Sequence, residues 1–252
     1  MRSRWVPAVI FGVVLLALWW ILTASGIISA AFLPSPYDAV ARMVSGLRAG
    51  YLADATRITL VEALAGCVFA AVIGVPFGYA IAKWRLFGRT VQPYLAAAQA
   101  VPAVAIAPLL TIWVGYGKTA IIVLCTIMVV FPVIISTAVG VRHINHDILG
   151  AARLDGASGF TLVRYMELPL AAPSILAGLR TGFTLSITGA VVGEMVIGGN
   201  GLGMQLMSAQ GAGDVKGMFA TIILLALCAM AIYLALLLIE NHANYLIRDA
   251  RP

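Results

Sequence analysis

Uncharged apolar runs of bilayer length recur along this chain, and they leave few folds open to it. A hydrocarbon core about 30 Å thick takes about 20 residues of helix, and a spanning backbone must satisfy its own polar groups. Runs of that size lie within 5–37, 63–82, 90–117, 119–141 and 218–239, and a sixth candidate, 171–192, carries Arg180 inside it. With 62% of residues apolar and 10% charged, no soluble domain of useful size is left over. The reading is an all-α membrane protein, one polytopic domain over 1–252 with six transmembrane helices.

The three cysteines, Cys67, Cys125 and Cys228, each fall in a different apolar run. They read as small hydrophobes, not as a disulfide or metal framework. A net charge of +6 raises the question of nucleic acid, but the basic residues are scattered over short loops. Their distribution serves orientation. On a six-span path that starts inside, Arg2, Arg4, Lys83, Arg85, Arg89, Arg142, Arg153, Arg164, Arg248 and Arg251 fall on the inner side. Arg42, Arg48, Arg57, Lys118 and Lys216 fall outside. This bias predicts cytoplasmic termini and a cytoplasmic loop at about 142–169. Met1-Arg2-Ser3-Arg4, with small residues near Ser29-Ala30-Ala31, has elements of a cleavable signal. The apolar stretch is long for that purpose, so it is read as a retained first span.

Leu33-Pro34-Ser35-Pro36 ends the first span, because two prolines forbid helix continuation. Asp38 is then expected to cap an amphipathic stretch through Gly50 with Val40, Met43, Val44 and Leu47 on one face. It reads equally as a surface-lying helix or a packed connector. In the second span, Gly66, Gly74, Pro76 and Gly78 permit close helix approach or a bend, and Glu62 sits near Arg57. Those two read first as a pair or as snorkelling side chains, with ligand contact as the alternative. Pro102 and Pro108 are expected to break the third span, which should then lie inside the bundle or beside a water-filled path. The fourth is expected to end near Phe131-Pro132.

After the fifth span come Glu194 and Gly198-Gly199-Asn200-Gly201-Leu202-Gly203. This is no phosphate loop, since no strand precedes it and no Lys-Ser/Thr pair follows. It reads as an outward re-entrant or gate segment. Glu194 is either a gate or pathway group or a solvated helix end. Arg180 reads as a structural pair or a snorkelling side chain. His143, His146 and Asp147 lie on a loop with no further ligand in view, so no metal site is assigned.

The loop at 142–169 is the longest segment with regular charge. Asp147 is expected to cap a helix over 148–154, and Gly156 suits the left-handed position after it. A second helix over about 158–166 is expected to stop at Leu168-Pro169. Ala151 and Ala152 would give a face of little bulk over which a partner's groove can close. Spacing alone fits either such a docking knob or an ordinary helical loop.

Ala151, Ala152, Gly156, Leu168 and Pro169 stand in the register of Glu-Ala-Ala, three residues, Gly, nine residues, Ile-x-Leu-Pro. In this the chain resembles the membrane subunits of binding-protein-dependent ABC importers, closest to the sulfonate, taurine, nitrate and pyrimidine-precursor branch. Further landmarks are Leu33-Pro34-Ser35-Pro36, Pro102 through Pro108-Leu109-Leu110 with Trp113, Gly178-Leu179-Arg180, Glu194 and Gly201-Leu202-Gly203. The resemblance implies a type I importer in a bacterial inner membrane: two permease copies, two cytoplasmic P-loop ATPases that hold ATP and magnesium, and an external binding protein. The permease itself would bind no cofactor. Gly150, Ala151, Ala152, Arg153, Leu154, Asp155, Gly156, Ala157 and Ser158 would form the ATPase-docking coupling helix. Pro102, Pro108, Trp113, Glu194, Gly201 and Gly203 would line the pathway or gate. Gly150 departs from the motif's acidic residue and Met166 from its Ile; the missing charge would have to come from Asp147 or Asp155. Catalytic residues are not discernible, so hydrolysis falls to the partner. A stand-alone ion-coupled carrier titrating Glu62 and Glu194 is the second reading, weakened by the lack of a visible internal repeat.

Overall fold

The computed structural model describes residues 6–26 and 28–249; Arg2, Arg4 and Arg251 of the charge count lie outside them. All regular structure in the described residues is helical. The core is a trio: α3 (Tyr51–Lys83), α6 (Lys118–Arg142) and α9 (Leu168–Gly193). Small residues bring their backbones together. A Cβ added to Gly78 would lie 2.5 Å from the Ile134 carbonyl oxygen, and one on Gly178 2.5 Å from Ser136 Cβ. Apolar side chains gain little by leaving lipid, so close packing of this kind is what holds such helices together. The Ser186 hydroxyl adds a 2.8 Å hydrogen bond to the Ala63 carbonyl across the α3–α9 seam.

Two groups of shorter elements close the ends of the trio. At the end that starts α3 and α6 lie α2 (Pro36–Arg48), α10 (Leu202–Gly211) and the beginning of α11 (Val215–Asp249). At the other end, between α6 and α9, lie α7 (His146–Leu154) and α8 (Gly159–Leu162). The apolar α1 (Val6–Ala24) touches α2, and Trp19 Nε1 donates to the Pro34 carbonyl at 3.1 Å. α3, α6, the continuous stretch 159–198 and α11 are each long and apolar enough to cross a membrane. α4 (Arg85–Gln99) and α5 (Ala103–Trp113) make a fifth crossing only as a pair bent by 95°.

Several sequence expectations need correction. The break near Pro102 is real, but Pro108 sits inside α5 and Pro132 inside α6, which runs on to Arg142. α5 packs on α6, on α9 and on residues 194–198, with Ala107 and Leu110 buried in the core, while Pro102 and Pro108 face outward. The first cap is Ser35, whose hydroxyl accepts from the Asp38 N–H at 3.1 Å. Asp38 instead pairs with Lys216 at 3.2 Å. α2 forms where the amphipathic stretch was expected; it buries Ala39 and Gly46 and leaves Val40, Val44 and Leu47 of its apolar face exposed. α7 is capped by Asn145, whose side chain accepts from the Asp147 N–H at 2.8 Å.

The expected stop at Leu168-Pro169 does not occur. A π-helical turn, Val163–Glu167, joins α8 directly to α9. Pro169 lies in the first turn of α9, where the wider spacing of the π turn relieves the need for its missing donor.

Candidate functional site

Two sites lie at opposite ends of the same stretch of helix. At the first, α7 stands on the ends of α6 and α9. Leu149 and Ala152 are buried with Val141, Ile144, Leu162 and Ala171, which seats the helix on the bundle. Ala152 therefore faces inward, against the expectation of a two-alanine outer face; Ala151 remains exposed. Gly150 has nothing within 4 Å of an added Cβ. Gly156 has φ +91°, the left-handed geometry expected at the end of α7, and Asp155 precedes it as the helix cap. Arg153, Leu154, Asp155 and Ser158 are exposed, and Ala157 is half-buried. Leu154, at 90% exposure, and Phe160 put apolar surface where a solvated loop would carry polar groups.

The base of this knob is held by a residue to which the sequence assigned no role. Glu167 is fully buried and accepts from Tyr79 Oη and Lys83 Nζ, both at 2.5 Å. Its clue was present in the chain: an acidic residue immediately before the apolar Leu168-Pro169.

At the opposite end, α9 passes through a second π turn, Glu194–Gly198, and the chain reverses into α10. Glu194 is wholly buried, which excludes the solvated helix end. Its Oε1 accepts from the Thr59 hydroxyl at 2.7 Å, and its Oε2 accepts from the Gly203 N–H at 2.5 Å. Thr59 in turn accepts from the Leu202 N–H at 2.8 Å. The carboxylate thus caps α10, where N–H groups without helical partners favour negative charge. Gly201 and Gly203 are required by this approach. A Cβ on Gly203 would lie 2.9 Å from Glu194 Oε2, and one on Gly201 would collide with Oε1.

Glu62 is the acidic neighbour of Glu194 and is 1% exposed, so it does not snorkel, and among the described residues it forms no ion pair with Arg57. Thr59 was overlooked, although its position three residues before Glu62 puts both on one helix face. A cavity of about 810 Å³ opens here, with Arg57, Glu62, Lys118 and Asn200 in its walls. Of the expected pathway residues, Glu194, Gly201 and Gly203 come together. Pro102, Pro108 and Trp113 stand apart on the outer face of α5, Trp113 with 70% exposure.

At the same end, Arg42 holds Asp214 through Nε at 3.0 Å and Nη2 at 2.7 Å, tying α2 to the turn before α11. Burial pushes the Asp214 carboxyl up, but the Arg42 hydrogen bonds, the Gly217 N–H and the charges of Arg42 and Lys216 together hold it below its ordinary value. Arg180, further along α9, pairs with Glu240 at 2.9 Å and lies over the Tyr233 ring, a structural role as expected. Cys67, Cys125 and Cys228 are free thiols.

The family described as "Binding-protein-dependent transport system inner membrane component" matches residues 74–245. The riboflavin transport system permease protein of Chloroflexus aurantiacus is 38% identical over 212 residues, covering 84% of this chain and 79% of that protein. The taurine transport system permease protein of Escherichia coli (strain K12) is 30% identical over 234 residues, covering 91% and 85%. Among solved structures, the inward-facing MetNI methionine ABC transporter superposes with a TM-score of 0.69 at 22% identity, over 76% of this chain and 95% of that one, a likeness of fold. The chain therefore belongs to the inner-membrane permease family of binding-protein-dependent ABC transport systems.

Proposed function

We propose that this chain is the translocation subunit of an ATP-driven importer, crossing the membrane six times with both termini in the cytoplasm. Two copies form the pathway, and each offers α7 and the turn after it, residues 150–158, to a P-loop ATPase that holds ATP and magnesium. An external binding protein delivers the solute at the end where Glu194 lies. The positive-inside bias supports this orientation.

One observation carries the coupling role. α7 is seated on the bundle through Leu149 and Ala152, and the Glu167 clasp lies at its base, yet Leu154 and Phe160 stay exposed. A helix seated on the bundle on one side, with Leu154 and the neighbouring Phe160 of α8 exposed on the other, suits force transfer to a partner. ATP closing the ATPase dimer would draw two such knobs together and open the path outward, provided that the load binds the two states differently. The exposed outer face of α5, with Pro102, Pro108 and Trp113, then meets the second copy or the pathway between copies. Relatives named for riboflavin, taurine, aliphatic sulfonates and formylaminopyrimidine support a small polar organic solute as cargo.

The test is recovery of the tagged chain in mild detergent, with mass spectrometry of its companions. A P-loop ATPase should accompany the native bait and be lost with Gly156→Arg. A stable native bait that brings down no ATPase would sink the coupling reading and favour a carrier acting alone.

A further inference from the structure

The cavity beside Glu194 carries chemistry that ATPase docking does not use. At about 810 Å³ it falls in the range of small-molecule sites, about 300–1,000 Å³. Glu62 is its unusual wall. The side chain is almost wholly buried, and its Oε2 has no hydrogen-bond partner among the described residues. Glu194 beside it has a donor on each oxygen, from Thr59 and Gly203. A buried carboxylate oxygen without a donor loses its hydration and gets nothing back. With Glu194 beside it, the pair can hold one proton between the two carboxyls, and Glu62 Oε2 is then the acceptor still open to a donor. The rim has the opposite need. Arg57 and Lys118 are exposed in the cavity wall with the carboxylate of Asp54, so the rim keeps a positive charge in excess, and neither cation enters an ion pair among the described residues. Such groups seek acceptor oxygens.

We propose that this cavity is a solute site belonging to the permease itself. It takes a small molecule that turns an N–H donor toward Glu62 and an acceptor oxygen, acid or carbonyl, toward Arg57 and Lys118. Taurine carries this pairing as ammonium and sulfonate; riboflavin carries it as imide N–H and carbonyl. The proposal rests on the importer reading for the direction of travel, not for the chemistry of the site.

The test is isothermal titration calorimetry on the permease alone in lipid nanodiscs, without ATPase or binding protein. Taurine, riboflavin and ethanesulfonate, an acid with no N–H, are titrated separately. Taurine or riboflavin should bind saturably, and which one binds identifies the cargo type. Glu62→Ala and Lys118→Ala should each raise its Kd about tenfold or more, the scale of a lost charge-assisted hydrogen bond. Ethanesulfonate should bind at least about tenfold more weakly than the ligand that binds. If Glu62→Ala fails to give monodisperse protein, the isosteric Glu62→Gln replaces it. Failure of both solutes to bind folded native protein overturns the proposal, as does binding that neither substitution alters. Either result leaves co-purification with an ATPase untouched, so the two readings fail separately.

Discussion

Lys83, in the last turn of α3, places its Nζ 2.5 Å from Oε1 of Glu167, at the foot of the knob. The pair joins segments 84 residues apart, and the two sides are unequally exposed: the Lys83 side chain is 35% exposed and that of Glu167 not at all. Removing the lysine should therefore do more harm than removing the acid. Lys83→Met leaves the buried carboxylate with the Tyr79 hydroxyl but without its counter-charge, an effect of up to about 3–5 kcal/mol, whereas Glu167→Gln leaves an ammonium that can bend to water. The double variant should recover most of the loss, because the two substitutions act on one interaction. Thermal unfolding in detergent of all four proteins checks this; additive losses would deny the coupling.

Leu154 tests the knob without disturbing it. The side chain is almost fully exposed, so Leu154→Asp should leave the unfolding temperature within the range of ordinary surface substitutions, about 0.5 kcal/mol. The same change should abolish recovery of the ATPase and ATP-dependent uptake in proteoliposomes. Intact uptake in this variant would remove Leu154 from the docking surface.

Gly150 and Gly201 should respond oppositely to alanine. Nothing lies within 4 Å of a Cβ at Gly150, so Gly150→Ala gains helix propensity, up to about 1 kcal/mol. At Gly201 the new methyl meets Glu194 Oε1 and Thr59 Oγ1, and overpacking of that kind costs about 1–3 kcal/mol. Comparison of unfolding temperatures for the two variants decides it; a neutral Gly201→Ala would mean that the Glu194 turn is not closely packed.

The Arg42–Asp214 link sets a pH dependence at the same end. Asp214 is held below its ordinary value, so it binds fewer protons folded than unfolded at mildly acid pH. Its contribution is complete above the unfolded carboxylate value, about 4, and is lost as pH falls through the lower folded value. Both side chains are partly solvated, which keeps the effect within about 1 kcal/mol. Hydrogen exchange in α2 should accelerate below about pH 4 in the native protein. In Asp214→Asn it should be faster already at neutral pH and less steep with pH once the chemical exchange rate is divided out, the Asp38–Lys216 pair remaining. An unchanged profile in that variant would place the acid sensitivity elsewhere.

Crossing helices were readable wherever apolar length did the work, as in α3, α6 and α11. Left-handed Gly156 was readable too, because only glycine takes that geometry cheaply. Proline misled in both directions. It marked the α4–α5 elbow, yet Pro108 and Pro132 lie within helices and Pro169 opens one. A lost backbone bond there is tolerated when neighbouring turns re-satisfy the carbonyl, which depends on packing and not on the residue itself. Helix caps slipped by two or three residues, from Asn145 to Asp147 and from Ser35 to Asp38, because each stretch offers more than one competent side chain. Glu194 could be singled out as an intramembrane acid, but its partners could not. Thr59 and Gly203 lie on different helices, and only the fold brings them to one carboxylate.

Residues 159–198 form one unbroken rod, with a π turn near each end at 163–167 and 194–198. An α-helix turns about 100° per residue, and a π turn holds one residue more than its neighbours. Each therefore sets the azimuth of whatever is attached beyond it. A slip of hydrogen-bond register at 163–167 would swing the knob about the rod axis by about 100°, and one at 194–198 would swing α10, with the Gly203 N–H, away from the Glu194 carboxylate by the same angle. The two ends of the molecule are thus set in phase by a pair of irregular turns, and loss of either extra residue would rotate one site out of alignment while leaving the core trio packed.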